Sequence, residues 1–496
     1  MNKKAIVIGS GLGGLSISAR LLSKGFKVKI FEKNLIIGGK TNLLSHDDFK
    51  FDLTASLLMF YKDYIEIFDY CNKNYKNYFS LIPLNPLYKV FFNDQSVYKF
   101  PNDLSSLSLT LSEITNNDVK QISGYFNFLS YSYEKYNLSN KYFLNKSFIK
   151  QINFFNPLTL CKGLELHPLP SAYKCCRKYI YNKKLLHYLM FQTMYIGVSP
   201  YESSNIYNAI PAVSQIEGLY HIEGGMYSYI KALEKLILEQ DGTIYTSSPV
   251  DEILFDNNKA VGVVVNGKKI DCDIVICSSD YSYTIDNLIK DKEIKKFIKP
   301  VKDMDYSCST FILYLALNKK YPTLEVNNIY INKNFKNNIN SCFKGELSID
   351  PSLYIYCPSA IDSTVCPSGC ETINVIVRVP NLLEGNIIWN VETIKNMSEK
   401  LLNILSSIKG VEDIREHILF QDYLTPVVLK DNFNTYGGSA FALSHTLKQT
   451  NIFRPQCEIP HIKNLFFTGA SIHPGNGVSM VIKSSKICMD NILKVL

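Results

Sequence analysis

Apolar positions along this chain follow two periods, and the change between them marks the elements. Lys4-Ala5-Ile6-Val7-Ile8 is a continuous apolar run of the kind that makes a buried parallel strand. Leu15, Ala19 and Leu22 then recur at helical spacing until Lys24-Gly25 closes the helix. Val28-Lys29-Ile30-Phe31 is a second strand. Helical spacing returns at residues 118–136 and 183–194, and again at 226–239, where Ile230, Leu233 and Ile237 share a face. Residues 243–246 and 250–253 are predicted strands, and 259–265 pairs with 268–272 across Asn266-Gly267, a hairpin turn. Residues 273–277 rejoin the parallel sheet. Strands at 305–317, 328–331, 352–357 and 372–378 suit a second, mainly β sheet, beside an amphipathic helix at 391–408. A last strand at 464–467 leads through glycines into a helix running toward Leu496. Between residues 61 and 214 the strand-helix rhythm gives way to aromatic clusters such as Phe91-Phe92 and Phe154-Phe155.

The first turn carries the chemistry. Gly9-Ser10-Gly11-Leu12-Gly13-Gly14 sits between a strand and a helix, where Gly9 permits the tight turn. Gly11 leaves room for a pyrophosphate, and Gly14 lets helix and strand pack closely. The pyrophosphate would sit on the unpaired N–H groups of the helix end. Glu32, followed by Lys33, ends the second strand and is placed to accept hydrogen bonds from a ribose. Gly38-Gly39-Lys40 adds a second close approach of backbone, which a longer flavin dinucleotide can use, and Lys40 can neutralise phosphate charge. Near the other end, Gly469-Ala470 and Gly477-Val478 place a helix N-terminus where negative charge grows on a reduced flavin. That return of the chain moves the expected cofactor to FAD.

The 496 residues are too many for one ordinary core, so two domains are expected. Hydrophobic residues at 46% and charged residues at 20% exclude a disordered chain. The net charge of +8 is scattered, which disfavours nucleic acid and would suit an anionic membrane surface. No apolar run approaches the roughly 18 residues needed to span a bilayer. Thirteen cysteines without an export signal point to the reducing cytoplasm, and their spacing supports no metal site.

Thr468-Gly469-Ala470-Ser471 with His473-Pro474-Gly475-Asn476-Gly477-Val478 resembles the C-terminal signature of the bacterial carotenoid (phytoene) desaturases, within the amine-oxidase-like flavoproteins. Tyr195-Ile196-Gly197-Val198, Asp305 to Ser309, Asp350 to Tyr354, Gly438 to Phe441 and Arg454-Pro455-Gln456 resemble its C30 branch, which acts on dehydrosqualene. Two departures stand out. Thr54-Ala55 occupy the place of the family's Gly-Pro pair beside the flavin, and Ser479 stands where a proline is common.

The resemblance implies an α/β fold: a Rossmann-like FAD-binding domain of the glutathione-reductase and amine-oxidase type with an inserted α+β substrate domain. Residues 1–60, 215–290 and 445–496 would form the FAD-binding domain, and 61–214 with 291–444 the substrate and membrane-contact domain. The cofactor residues expected are Gly9, Gly11, Gly13, Gly14, Glu32, Lys33, Gly38, Gly39, Lys40, Thr54, Ala55, Val250, Gly469, Ala470, Gly477 and Val478.

The implied reaction passes a hydride to flavin N5 and loses a proton from the neighbouring carbon of a lipophilic polyene, dehydrosqualene or phytoene. His473 is the candidate proton acceptor, or else a residue that shapes the turn before Pro474. The protein would work from the cytoplasm, peripherally on a membrane. A carotenoid terminal-methyl oxidase, a flavin amine oxidase and a non-enzymatic isoprenoid carrier are the alternatives.

Overall fold

Four distant parts of the chain converge on one parallel sheet. In this computed structural model, which describes residues 3–495, its strands run in the order Leu465–Phe467, Ile274–Cys277, Lys4–Ile8, Lys27–Phe31 and Thr243–Tyr245. Every neighbouring pair is parallel. The apolar runs of Lys4–Ile8 and Ile274–Cys277 lie on central strands buried on both faces, which is why they lack alternation. The helices Leu12–Ser23, Met226–Leu238 and Val478–Val495 pack together beside the sheet. The helix Tyr61–Tyr70 joins them, and its Glu66 pairs with the fully buried guanidinium of Arg20.

The expected hairpin forms within a three-stranded antiparallel sheet of Val250–Asp256, Lys259–Val265 and Lys268–Asp271. Asn266 and Gly267 turn it with φ of 50° and 73°, as a tight hairpin requires.

The second large sheet has seven strands, in the order Ile418–Leu424, Ser309–Leu317, Glu371–Val379, Leu353–Tyr356, Asn327–Ile331, Tyr88–Phe92 and Val97–Phe100. Its pairs are antiparallel except that of Asn327–Ile331 with Tyr88–Phe92. Alternation sorts its two faces. Phe311, Leu313 and Val375 face the helix Val391–Ser406 through Leu401 and Leu405. Ile312, Tyr354 and Ile376 face the opposite way, toward the helices Val119–Ser139, Lys183–Phe191 and Ala209–Glu217.

Two expectations are corrected here. The aromatic stretch before residue 214 supplies three strands, Leu81–Pro83 and two of this sheet, and its Phe91-Phe92 lies in one of the latter. Local pattern could not show this, because the Tyr88–Phe92 strand takes its parallel partner from residues 328–331. The strand expected from residue 305 begins at Ser309, since Tyr306 bridges instead to Leu443.

Candidate functional site

The glycine turn is held by its own backbone. Gly9, at φ 93°, donates to the Phe31 carbonyl at 2.8 Å, and the first helical bond runs from Leu15 N to Gly11 O. The amides of Gly13 and Gly14 are therefore open donors, and no side chain caps this helix end or places an acid in its first turn. A Cβ on Gly14 would lie 2.0 Å from the Gly9 carbonyl oxygen, so only glycine lets the helix approach the strand. A Cβ on Gly11 would meet nothing within 4 Å, because that space is open.

Glu32 is fixed by three hydrogen bonds: Ser10 N and Oγ donate to one carboxylate oxygen at 2.8 Å, and Asn34 N to the other at 2.9 Å. Lys33 turns away to the Asp431 carbonyl and the Asn434 side chain. The second glycine pair docks on the first turn, with Gly38 N donating to Ser10 O at 2.9 Å. Lys40 donates to the Ala440 carbonyl at 2.9 Å, and Thr54 Oγ1 to the carbonyl of Lys40 at 2.7 Å. Burial lowers the pKa of Lys40 against the opposing pull of Asp280, whose own carboxyl is raised by burial.

At the other end of the chain, Gly477 precedes the helix Val478–Val495, and its Cβ position is again open. Arg454, 1% exposed, donates to the carbonyls of Leu443 and Ala470 and so ties two loops at the site. Burial lowers its pKa to about 10. The hydroxyls at the two departures make backbone bonds, Thr54 as above and Ser479 to Met59 O at 3.1 Å.

These groups open on one cavity of about 510 Å³. Gly9, Gly11, Gly13, Glu32, Lys33, Gly38, Gly39 and Lys40 line one end. Thr54, Ala55, Val250, Gly469, Ala470, Gly477 and Val478 also line it. It continues onto the second sheet, past Thr310, Ile312, Tyr354, Ile376, Arg378 and Phe441. Two expected residues lie outside its lining. Gly14 sits behind it, in the helix–strand contact.

His473 is the other residue outside the lining. Its buried ring donates from Nε2 to the Phe143 carbonyl at 3.1 Å and packs edge-on against Phe148, and Nδ1 has no partner. Burial lowers its pKa to about 4. The ring is turned to a loop carbonyl and stays out of the cavity lining, which supports the turn-shaping alternative. Asp280 and Arg378 are cavity-lining residues that local pattern passed over. Arg378, a lone cation within the apolar run Ile373 to Val379, was the one visible signal.

Residues 12–283 match the family described as flavin containing amine oxidoreductase. The chain belongs to that family. It is 35% identical to a 4,4'-diapophytoene desaturase (4,4'-diaponeurosporene-forming) of Staphylococcus haemolyticus strain JCSC1435, over 98% of each chain. In fold it is similar to an oxidoreductase from Methanosarcina mazei, with a TM-score of 0.65 at 15% identity, covering 98% of this chain and 100% of that one. It is similar also to putrescine oxidase bound to putrescine, with a TM-score of 0.63 at 10% identity over 100% and 99% of the two chains. The expected α/β flavoprotein fold is therefore present, and the cofactor is a flavin. The residues fit that group: an uncapped helix end at Leu12, an open Cβ position at Gly11 and Gly477, and a fixed carboxylate at Glu32 all border the cavity. Among the described residues, no cluster of side chains could hold a metal ion, and no helix is long and apolar enough to cross a membrane.

Proposed function

We propose that this protein is an FAD-dependent desaturase of carotenoid biosynthesis, taking a linear C30 isoprenoid of the dehydrosqualene type to a diaponeurosporene-type polyene. The full-length match to a diapophytoene desaturase carries this reading. The cavity supports it, because a hydrocarbon substrate asks for a long apolar chamber in contact with the flavin site.

FAD, when bound, supplies the hydride acceptor. The glycine turn and the open amides of Gly13 and Gly14 would hold its pyrophosphate, and Glu32 its ribose. The amino end of the Val478–Val495 helix would favour negative charge at the ring edge. Ile312, Tyr354, Ile376 and Phe441 would flank the polyene and exclude water. In this reading residues 1–60, 215–290 and 445–496 serve the cofactor, and 61–214 with 291–444 the substrate.

The same reading makes the protein a peripheral membrane enzyme. Support comes from Ile152, Phe155, Leu158, Leu160, Leu164 and Leu169, all exposed on and around the helix Pro157–Glu165. Leu166, beside them, lines the cavity. Such a surface suits shallow insertion into a lipid face.

The test is anaerobic mixing of the flavin-loaded protein with dehydrosqualene in liposomes. Bleaching of the oxidised flavin band with new polyene absorption is expected. A band that stays oxidised, or one that bleaches with amines instead, would overturn the reading.

A further inference from the structure

The apolar wall of the cavity is interrupted by one guanidinium. Arg378 lies in the strand Glu371–Val379, in register with Thr310. Its Nε donates to the Met194 carbonyl at 2.9 Å and its Nη1 to Thr310 Oγ1 at 3.2 Å. The Phe441 ring centroid is 4.6 Å from the guanidinium carbon. Three of the five N–H groups remain without a protein acceptor. Among the described residues, no carboxylate pairs with this cation. The groups nearest it electrostatically are the thiols of Cys308 and Cys342 and the phenols of Tyr195 and Tyr354.

Behind Arg378 the structure holds a smaller cleft of about 20 Å³, lined also by Tyr195, Asn338 and Ser352. That is room for one oxygen-sized group. The Tyr195 hydroxyl is buried beside that of Tyr88 and reaches no other partner. The buried Asn338 amide nitrogen makes no hydrogen bond, although its carbonyl oxygen accepts from Ser348. Three kinds of donor with unfilled hydrogen bonds thus line one small cleft. Leaving a buried guanidinium and a buried amide unsatisfied costs free energy, and a hydrocarbon ligand would leave that cost in place. A carboxylate or carbonyl oxygen would remove it, and guanidinium geometry suits either.

We propose that the Arg378 end of the cavity is a binding subsite for an oxygen acceptor, a carboxylate or carbonyl, at the end of an otherwise apolar chain. Arg378 binds the oxygen, with Tyr195 and Asn338 as further donors. The subsite goes beyond the desaturation reading, whose substrate bears no heteroatom, and its test needs no turnover.

The test is fluorescence titration of the flavin-loaded full chain with three polyenes: cis-parinarate, its methyl ester, and the hydrocarbon diphenylhexatriene. Arg378→Leu is expected to weaken parinarate at least tenfold and to leave diphenylhexatriene unchanged or tighter. Tyr195→Phe is expected to weaken parinarate two- to threefold. Loss of the acid alone identifies a carboxylate subsite, and equal loss of acid and ester a carbonyl one. Parinarate and diphenylhexatriene shifting together, or neither shifting, would overturn the proposal. Should Arg378→Leu fail to fold, the unaltered protein decides. The carbon-13 signal of carboxyl-labelled dodecanoate in the cavity should titrate well below the free acid, and a normal titration would overturn the subsite.

Discussion

Two glycines four positions or fewer apart in the first turn have separable duties. Gly14→Ala drives a methyl group to 2.0 Å from a carbonyl oxygen, so a stability loss of about 1–3 kcal/mol or more is expected. Gly11→Ala meets no protein atom within 4 Å, so its melting temperature without cofactor should stay unchanged while flavin content falls. Paired thermal melts and flavin absorbance check both. His473→Gln should keep flavin reduction by the polyene within about threefold, where loss of a general base costs about 10²–10⁴-fold. The pKa of His473 is lowered from 6.5 to about 4 by burial. Its contribution to stability is therefore present above 6.5 and lost as pH falls through about 4, which urea midpoints across that range would register. The role of Gly14 was legible because the turn has a strand before it and a helix after it. The role of His473 was not, because its partner is the carbonyl of Phe143, 330 positions away.

Among elements, the helix Met226–Leu238 depends on a residue from another part of the chain. Asp52 accepts a hydrogen bond from Met226 N at 2.7 Å and another from the Tyr356 hydroxyl, which also contacts His221. His221 is bonded in turn to Asp362 at 2.7 Å. Burial raises the Asp52 pKa to about 6, against the pull of His221. A raised carboxyl favours the protonated fold, so this contribution is present below about 3.8 and lost as pH rises through about 6. Asp52→Asn keeps an acceptor for Met226 and should flatten the stability profile between pH 4 and 7, measured by chemical denaturation. On the helix Pro157–Glu165, Leu158→Ser with Leu164→Ser removes two exposed leucines. Partition onto anionic vesicles should fall about tenfold or more, with flavin content unchanged. Hairpin and amphipathic helix were visible as local patterns. The Tyr88–Phe92 strand was not, since parallel pairing leaves no local mark.

At the scale of the molecule, the sheet and the cavity share one property: both are assembled from the two ends of the chain. A ligand that binds only the folded form stabilises it by mass action, by about 2.7 kcal/mol at a hundredfold excess over Kd. FAD added to cofactor-free protein should therefore raise the melting temperature, and limited proteolysis should show protection near residues 9–14 and 469–478 together. The family was legible in those two stretches, and the second sheet only in outline, because its order depends on contacts between strands hundreds of positions apart. The edge strand Leu465–Phe467 and the helix that packs on Leu12–Ser23 are also synthesised long after the first glycine turn. While the ribosome still holds them, the first glycine turn has no partner wall, and Gly469, Ala470 and Gly477 are missing from the cavity. Flavin loading into the complete cavity is thus expected only after residues 469–478 have been made. The strands Lys4–Ile8 and Lys27–Phe31 can pair with each other early, but their outer edges stay open until Thr243–Tyr245 and Ile274–Cys277 have been made.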